Sequence, residues 1–180
     1  MLGKFKKNYL QWKRREEGTT AIEFALLAIP FITVALGIVE LAIMYASATL
    51  LEGATNTASR MMRTGQLQQV AVADQENTFR NAICSYARVL IRCDEVVIES
   101  IPLASYSDFD SAAPVYDEDG NMVSQGFTSA GSDDIVLIRV AYRYTMMTPF
   151  IGTLLAGPDN SRLFMSTIVL QTEPYEFEDS

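Results

Sequence analysis

The chain has 180 residues and a formal net charge of −8, with 49% hydrophobic, 10% aromatic and 20% charged residues. That length suits one modest domain with an appendage, and the hydrophobic share argues against a disordered chain. Six Pro and ten Gly do not make a fibrous or linker-dominated sequence. The absence of His removes imidazole acid–base catalysis, Ser-His-Asp and Cys-His pairs, and most catalytic zinc sites.

The charge is divided sharply along the chain. Residues 1–18 carry six basic side chains (Lys4, Lys6, Lys7, Lys13, Arg14, Arg15) against Glu16 and Glu17, a balance of +4. Residues 19–180 carry eight Arg and twenty acids, a balance of −12. A basic patch alone can mean nucleic acid. Here it directly precedes a long apolar stretch, the layout of a cytoplasmic membrane flank, and the acidic remainder would repel phosphate. Nucleic acid is therefore not an expected partner.

Phe24 to Val39 is uncharged, Glu40 interrupts, and Leu41 to Leu51 continues without a charge. At about 1.5 Å per residue, Phe24 to Ala46 spans a hydrocarbon core of roughly 30 Å. The basic flank predicts a cytoplasmic N-terminus, with the remaining ~125 residues in the periplasm. Ala21/Ala25 and Ala42/Ala46 form small-xxx-small pairs. These read equally as close helix packing or as the ordinary alanine content of membrane helices. Pro30 is expected to kink the helix.

A carboxylate in a membrane helix costs roughly 2.5–3.5 kcal/mol at its centre, so Glu23 needs a reason. The string Arg14-Arg15-Glu16-Glu17-Gly18 followed by Thr19-Thr20-Ala21-Ile22-Glu23-Phe24 resembles the prepilin cleavage motif. That motif is a basic leader, a Gly, and a Glu at the fifth position of an apolar helix. In that family a membrane-embedded aspartic peptidase cuts after the Gly, so the resemblance implies a mature chain beginning at Thr19. Gly18 suits such a cut, because a residue without a side chain enters a peptidase cleft readily in extended form. Cutting creates an amine at Thr19, and Glu23 could pair with the amine of a neighbouring subunit, setting the axial register. The competing view leaves Glu23 at the cytoplasmic interface or protonated. Glu40 lies about 25 Å further along the helix. It is read first as an interfacial carboxylate near the outer face, and second as another assembly contact. A rival reading of the whole segment is a secretory signal peptide cut after Ala46-Ser47-Ala48, giving a terminus at Thr49. Its apolar run is longer than the ~7–15 residues usual for a signal peptide.

The helix is expected to continue to about Arg63, with Leu51, Ala54, Ala58 and Met61 or Met62 as an apolar stripe and Gly65 as its cap. Asp74 is expected to cap a second helix reaching about Arg92, with Phe79, Ile83, Tyr86 and Leu90 on its core face. Strands are predicted at Val96 to Leu103, Pro114 to Tyr116, Met122 to Phe127, Ile135 to Met146 and Arg162 to Gln171. The acidic turn Asp117 to Asn121 carries an Asp-Gly hairpin signal. It is read as a solvated turn in preference to a calcium loop. The apolar stretch Pro149 to Ala156 is open between a core loop and a contact with membrane or partner. In a periplasmic domain Cys84 and Cys93, an even pair nine positions apart, imply a disulfide. The chain must turn between them, and closing so short a loop is worth about 2–3 kcal/mol.

The chain as a whole resembles the TadE-like family of pseudopilins from the bacterial tight-adherence (Tad) pilus system. The likeness rests on Glu16-Glu17-Gly18-Thr19-Thr20-Ala21-Ile22-Glu23-Phe24-Ala25, on Gly37-Ile38-Val39-Glu40, and on Ala58-Ser59-Arg60-Met61-Met62-Arg63-Thr64-Gly65-Gln66. The Phe79, Cys84 and Cys93 spacing and the strand from Ile135 to Tyr144 also fit. The acidic segment around Ser105 to Ser132 carries no likeness. The resemblance implies cleavage by a prepilin peptidase and a single pass through the inner membrane. It also implies partnership with other pilins and pseudopilins and with the inner-membrane assembly platform, for surface adhesion and biofilm formation. The expected fold is α+β and pilin-like: a long N-terminal transmembrane and assembly helix, then a second helix packed on a small antiparallel sheet. Residues 1–18 are the leader, 19–64 the assembly helix and 65–180 the periplasmic domain. No cofactor, metal or catalytic residue is read. The competing function is an unprocessed, membrane-anchored periplasmic binding or adhesion module.

Overall fold

The computed structural model describes residues 18–175, apart from the side chain of Pro149. The basic leader therefore lies outside the described residues but for Gly18. The chain divides into two units, Met1–Val39 and Glu40–Ser180.

The described part of the first unit is helix. It opens α1 (Thr19–Arg63), a 45-residue helix that passes through Pro30 without a break. Pro removes one backbone donor, and the helix continues around it. Thr33 Oγ1 donates to the Ile29 carbonyl at 2.9 Å, the usual way a hydroxyl is satisfied inside an apolar helix. The apolar side chains stand open: Phe24 is 72% exposed, Leu27 74% and Phe31 74%. So continuous an exposed apolar surface marks a contact with a membrane or with another protein.

The second unit is built on a three-stranded antiparallel sheet of order β1-β4-β5. The strands are β1 (Val97–Leu103), β4 (Ile135–Thr145) and β5 (Ser161–Gln171). The central strand pairs Ile98 with Val140 on one side and Ile138 with Ile168 on the other. Its residues Val136, Ile138, Val140, Tyr142 and Tyr144 enter one core, as the period-two pattern predicts. That core also takes Leu51, Ala54, Ala58 and Met62 of α1, and Phe79, Ile83 and Ala87 of α2 (Val72–Ala87). The α1 residues recur every three or four positions, so one stripe of the helix faces inward. From Glu40 onward this helix is part of the domain: Ile43 and Met44 pack against the core and Ser47 is buried. Up to Val39 no side chain of the helix is buried; from Glu40 one face is.

α1 stops where Gly65 takes φ +73°. A Cβ there would lie 2.8 Å from the Tyr175 ring, so both the left-handed backbone and the packing call for Gly. α2 starts two residues before Asp74, with Ala71 at its N-cap position and no side-chain cap, and ends at Ala87 instead of Arg92. The inward spacing is Gln75, Phe79, Ile83 and Ala87, an i+4 row, so Tyr86 is left 61% exposed. The early stop lets the chain turn back. Cys84 and Cys93 form a disulfide with Cα atoms 5.8 Å apart.

The second face of the sheet is covered as well. Residues 105–127 hold a short 3-10 helix at Tyr106–Ser111 and a small hairpin, β2 (Val115–Tyr116) with β3 (Met122–Val123). The expected strand 122–127 is thus shorter. Phe127 instead forms a parallel bridge with Ser100 on β1, which covers that sheet edge. The hairpin turns at Gly120, φ +72°, as the Asp-Gly signal predicts. Asp117 Oδ1 accepts the Asn121 N–H at 2.7 Å, so this carboxylate closes its own turn. Those hydrogen bonds from Asn121 hold the Asp117 carboxyl below its ordinary range. Beneath the covering segment, Arg139 and Glu99 meet as a cross-strand pair at 2.7 Å, both almost fully buried. Arg139 also donates to the Ala112 carbonyl, and Glu99 accepts the Gln125 N–H at 2.9 Å.

Pro149 to Ala156 is a helix, α3 (Pro149–Ala156), between β4 and β5. Pro at its first turn is well placed. Ile151 is buried while Phe150 and Leu154 are exposed.

Candidate processing and assembly site

The residues singled out at the start of the chain fall within the first turns of α1. Gly18 precedes the helix and Thr19 is its first residue. A Cβ placed on Gly18 would meet nothing within 4 Å among the described residues. The fold itself makes no demand for Gly there, in contrast to Gly65.

Glu23 lies one helical turn after Thr19 and is exposed. Among the described residues its carboxylate has no hydrogen-bond or ion-pair partner. The surrounding surface is Ile22, Phe24, Leu26 and Leu27, each more than 60% exposed. An unpaired carboxylate in so apolar a belt is stabilised by an external cation or by water at a membrane interface.

Glu40 has the opposite environment. It is 3% exposed, and its carboxylate is fully engaged within the second unit. Oε1 accepts the Met147 N–H at 2.9 Å and the Tyr144 hydroxyl at 3.2 Å. Oε2 accepts the Thr148 hydroxyl at 2.9 Å and the Thr148 N–H at 3.1 Å. The Met147 and Thr148 donors lie in the short connection between β4 and α3, and Tyr144 lies near the end of β4. Burial pushes the Tyr144 hydroxyl up to about 12, and the adjacent Glu40 charge adds to the effect. Glu40 therefore acts as a latch that holds the β4–α3 connection to α1. Sequence reading located Glu40 but missed Tyr144, Met147 and Thr148 as its partners. The available signal was Thr148-Pro149, a start sequence for a helix whose N–H groups need an acceptor.

Residues 18–60 match the family model described as TadE-like protein. Those 43 residues, under a quarter of the chain, are TadE-like. The match begins at Gly18 and includes Thr19, Glu23, Pro30 and Glu40. It ends within α1 and does not extend over the sheet. No curated protein and no solved structure matches the chain. The TadE-like domain associates the chain with the minor pilins of Tad pilus systems, a structural family, and its partners are then expected among other pilus components. One helix of the described residues is long and apolar enough to cross a membrane, which fits a single-pass anchor in such a system.

Proposed function

We propose that this chain is a TadE-like pseudopilin, a minor subunit of a Tad pilus. In this reading a prepilin peptidase removes residues 1–18, and Thr19 becomes the mature N-terminus. The helix from Thr19 to Val39 is held in the inner membrane with its leader on the cytoplasmic side. The disulfide-bonded α+β domain lies in the periplasm. Glu23 pairs with the terminal amine of a neighbouring pilin, which removes an unpaired charge from the apolar belt and fixes the axial register of the two helices. The subunit acts in initiating, tipping or assembling the fibre at the inner-membrane platform, and so in surface adhesion and biofilm formation.

One observation carries most of this reading. The bare helix begins directly at Thr19 and ends at Val39, a stretch of 21 residues that spans about 31 Å, against a hydrocarbon core of about 30 Å. The apolar length is thus matched to a bilayer once the leader is gone, with Glu23 near its inner end.

The test is the mass of the protein in membranes that contain the cognate peptidase. Wild type is expected to start at Thr19, and Gly18→Val to retain the leader. A wild-type chain that keeps Met1 to Gly18 in piliated cells would end the proposal.

A further inference from the structure

The latch at Glu40 has a geometric consequence for α3. We propose that α3 rests on the lipid surface where α1 leaves the membrane, with Met147, Phe150 and Leu154 in the headgroup–acyl boundary. This rests on the membrane-spanning reading of Thr19 to Val39. Glu40 is the first residue after that stretch, and its carboxylate is 2.9 Å from the Met147 nitrogen and 3.1 Å from the Thr148 nitrogen. The two residues that precede α3 are therefore hydrogen-bonded to the residue that follows the span. If Val39 is at the outer edge of the hydrocarbon, the first turn of α3 is at headgroup depth.

The side chains suit that position. Met147 is 69% exposed, Phe150 72% and Leu154 73%; Phe150 and Leu154, four residues apart, share one side of α3, and Met147 lies just before its first turn. No charged residue occurs from Met146 to Pro158. Ile151 and Gly152 face inward, so the domain core is served by the opposite side of the helix and leaves the outer one unpartnered. At the far end, the Arg162 guanidinium donates to the Leu155 carbonyl at 2.8 Å. A cation there favours the helix C-terminus and can reach phosphate while its stem lies along apolar surface. An eight-residue helix is a weak membrane binder alone, but the spanning helix already holds it at the bilayer, so a small gain suffices.

The described cysteines are both in the disulfide, so one introduced thiol takes one label. Full-length protein in phosphatidylcholine–phosphatidylglycerol vesicles would carry an environment-sensitive fluorophore at L154C, F150C, F31C or V89C. Val89 is 85% exposed in the loop after α2 and serves as the aqueous reference. Unfolding temperatures close to wild type establish that the labelled variants fold. The L154C and F150C probes are expected to emit to the blue of V89C. They should be quenched more by a nitroxide near the lipid headgroup than by one at the acyl terminus, and the F31C probe should show the reverse. Quenching of L154C and F150C by aqueous iodide to the level of V89C would overturn the proposal. So would shielding from both lipid and water that rises with the protein-to-lipid ratio, which would assign the face to a neighbouring subunit. If the F31C probe escapes the deep nitroxide, the spanning reading fails first and takes this proposal with it.

Discussion

Removing the Glu40 latch tests whether this carboxylate serves the fold of its own chain. In Glu40→Gln the amide nitrogen must replace one of the two oxygens. If it replaces Oε2, the Thr148 hydroxyl can rotate to accept, but the Thr148 N–H loses its acceptor. If it replaces Oε1, the Tyr144 hydroxyl can rotate, but the Met147 N–H loses its acceptor. Either way one backbone donor is left over and the remaining bonds lose their charge assistance, a cost of about 2–3 kcal/mol. Glu40→Ala removes all four bonds. Met147 and Thr148 are not fully buried and recover part of the loss from water, so the expected cost is about 3–5 kcal/mol. Hydrogen exchange in detergent micelles reads this locally. The Met147 and Thr148 amides should exchange on the order of 30- to 100-fold faster in Glu40→Gln, since each 1.4 kcal/mol is a factor of ten in local opening. Thermal unfolding should fall in the same order, wild type above Gln above Ala. Unchanged exchange at both amides and an unchanged unfolding temperature in Glu40→Ala would refute the latch, and would return Glu40 to a role between molecules.

The other expectations follow from the same kind of reasoning. Glu23→Ala is expected to be cut normally yet to give few pili, and normal piliation would remove the register role. Arg139→Met alone leaves Glu99 buried without a counter-charge and should destabilise by about 3–5 kcal/mol, whereas the double change Glu99→Leu/Arg139→Met should lie close to wild type. Chemical denaturation of the four proteins would show this, and strict additivity would refute it. Cys84 and Cys93 should resist alkylation in the exported protein until reduced, and Cys84→Ser/Cys93→Ser should cost about 2–3 kcal/mol. Free thiols in the native protein would contradict the disulfide.

What could be read from the sequence was governed by local rules. The extent of α1 to Arg63, the cap at Gly65 and the two long strands within a residue of their ends follow from periodicity and turn chemistry, each of which acts over a few residues. The Glu16-to-Ala25 string was enough to locate the TadE-like segment. What escaped depends on partners far along the chain. Arg139 alternates with apolar residues along its strand, and its burial follows only because Glu99 is placed opposite by the β1–β4 register and residues 105–127 cover both. Tyr86 reads as core because i+3 and i+4 spacings are both helical, and only the position of the sheet decides that Ala87 faces inward. The stretch Pro149 to Ala156 gave no decision, because eight apolar residues fit a core or a surface equally well until one side is seen to be filled.

The two helix carboxylates show how the same residue type reports on different levels of organisation. Each interrupts an apolar run, and each carries the same intrinsic cost of charge in a poorly solvated place. Glu40 recovers that cost from four donors of its own chain, so its contribution appears in the folding of one molecule. Glu23 has none of these among the described residues, and no part of the fold is built around it. Such a charge is stabilised by water at the membrane interface or by a partner outside the chain. In the function proposed above, that partner is the terminal amine of a second copy or a related subunit. The asymmetry between them predicts where each mutation will be felt: Glu40 variants in exchange and unfolding of the isolated protein, Glu23 variants only when subunits assemble.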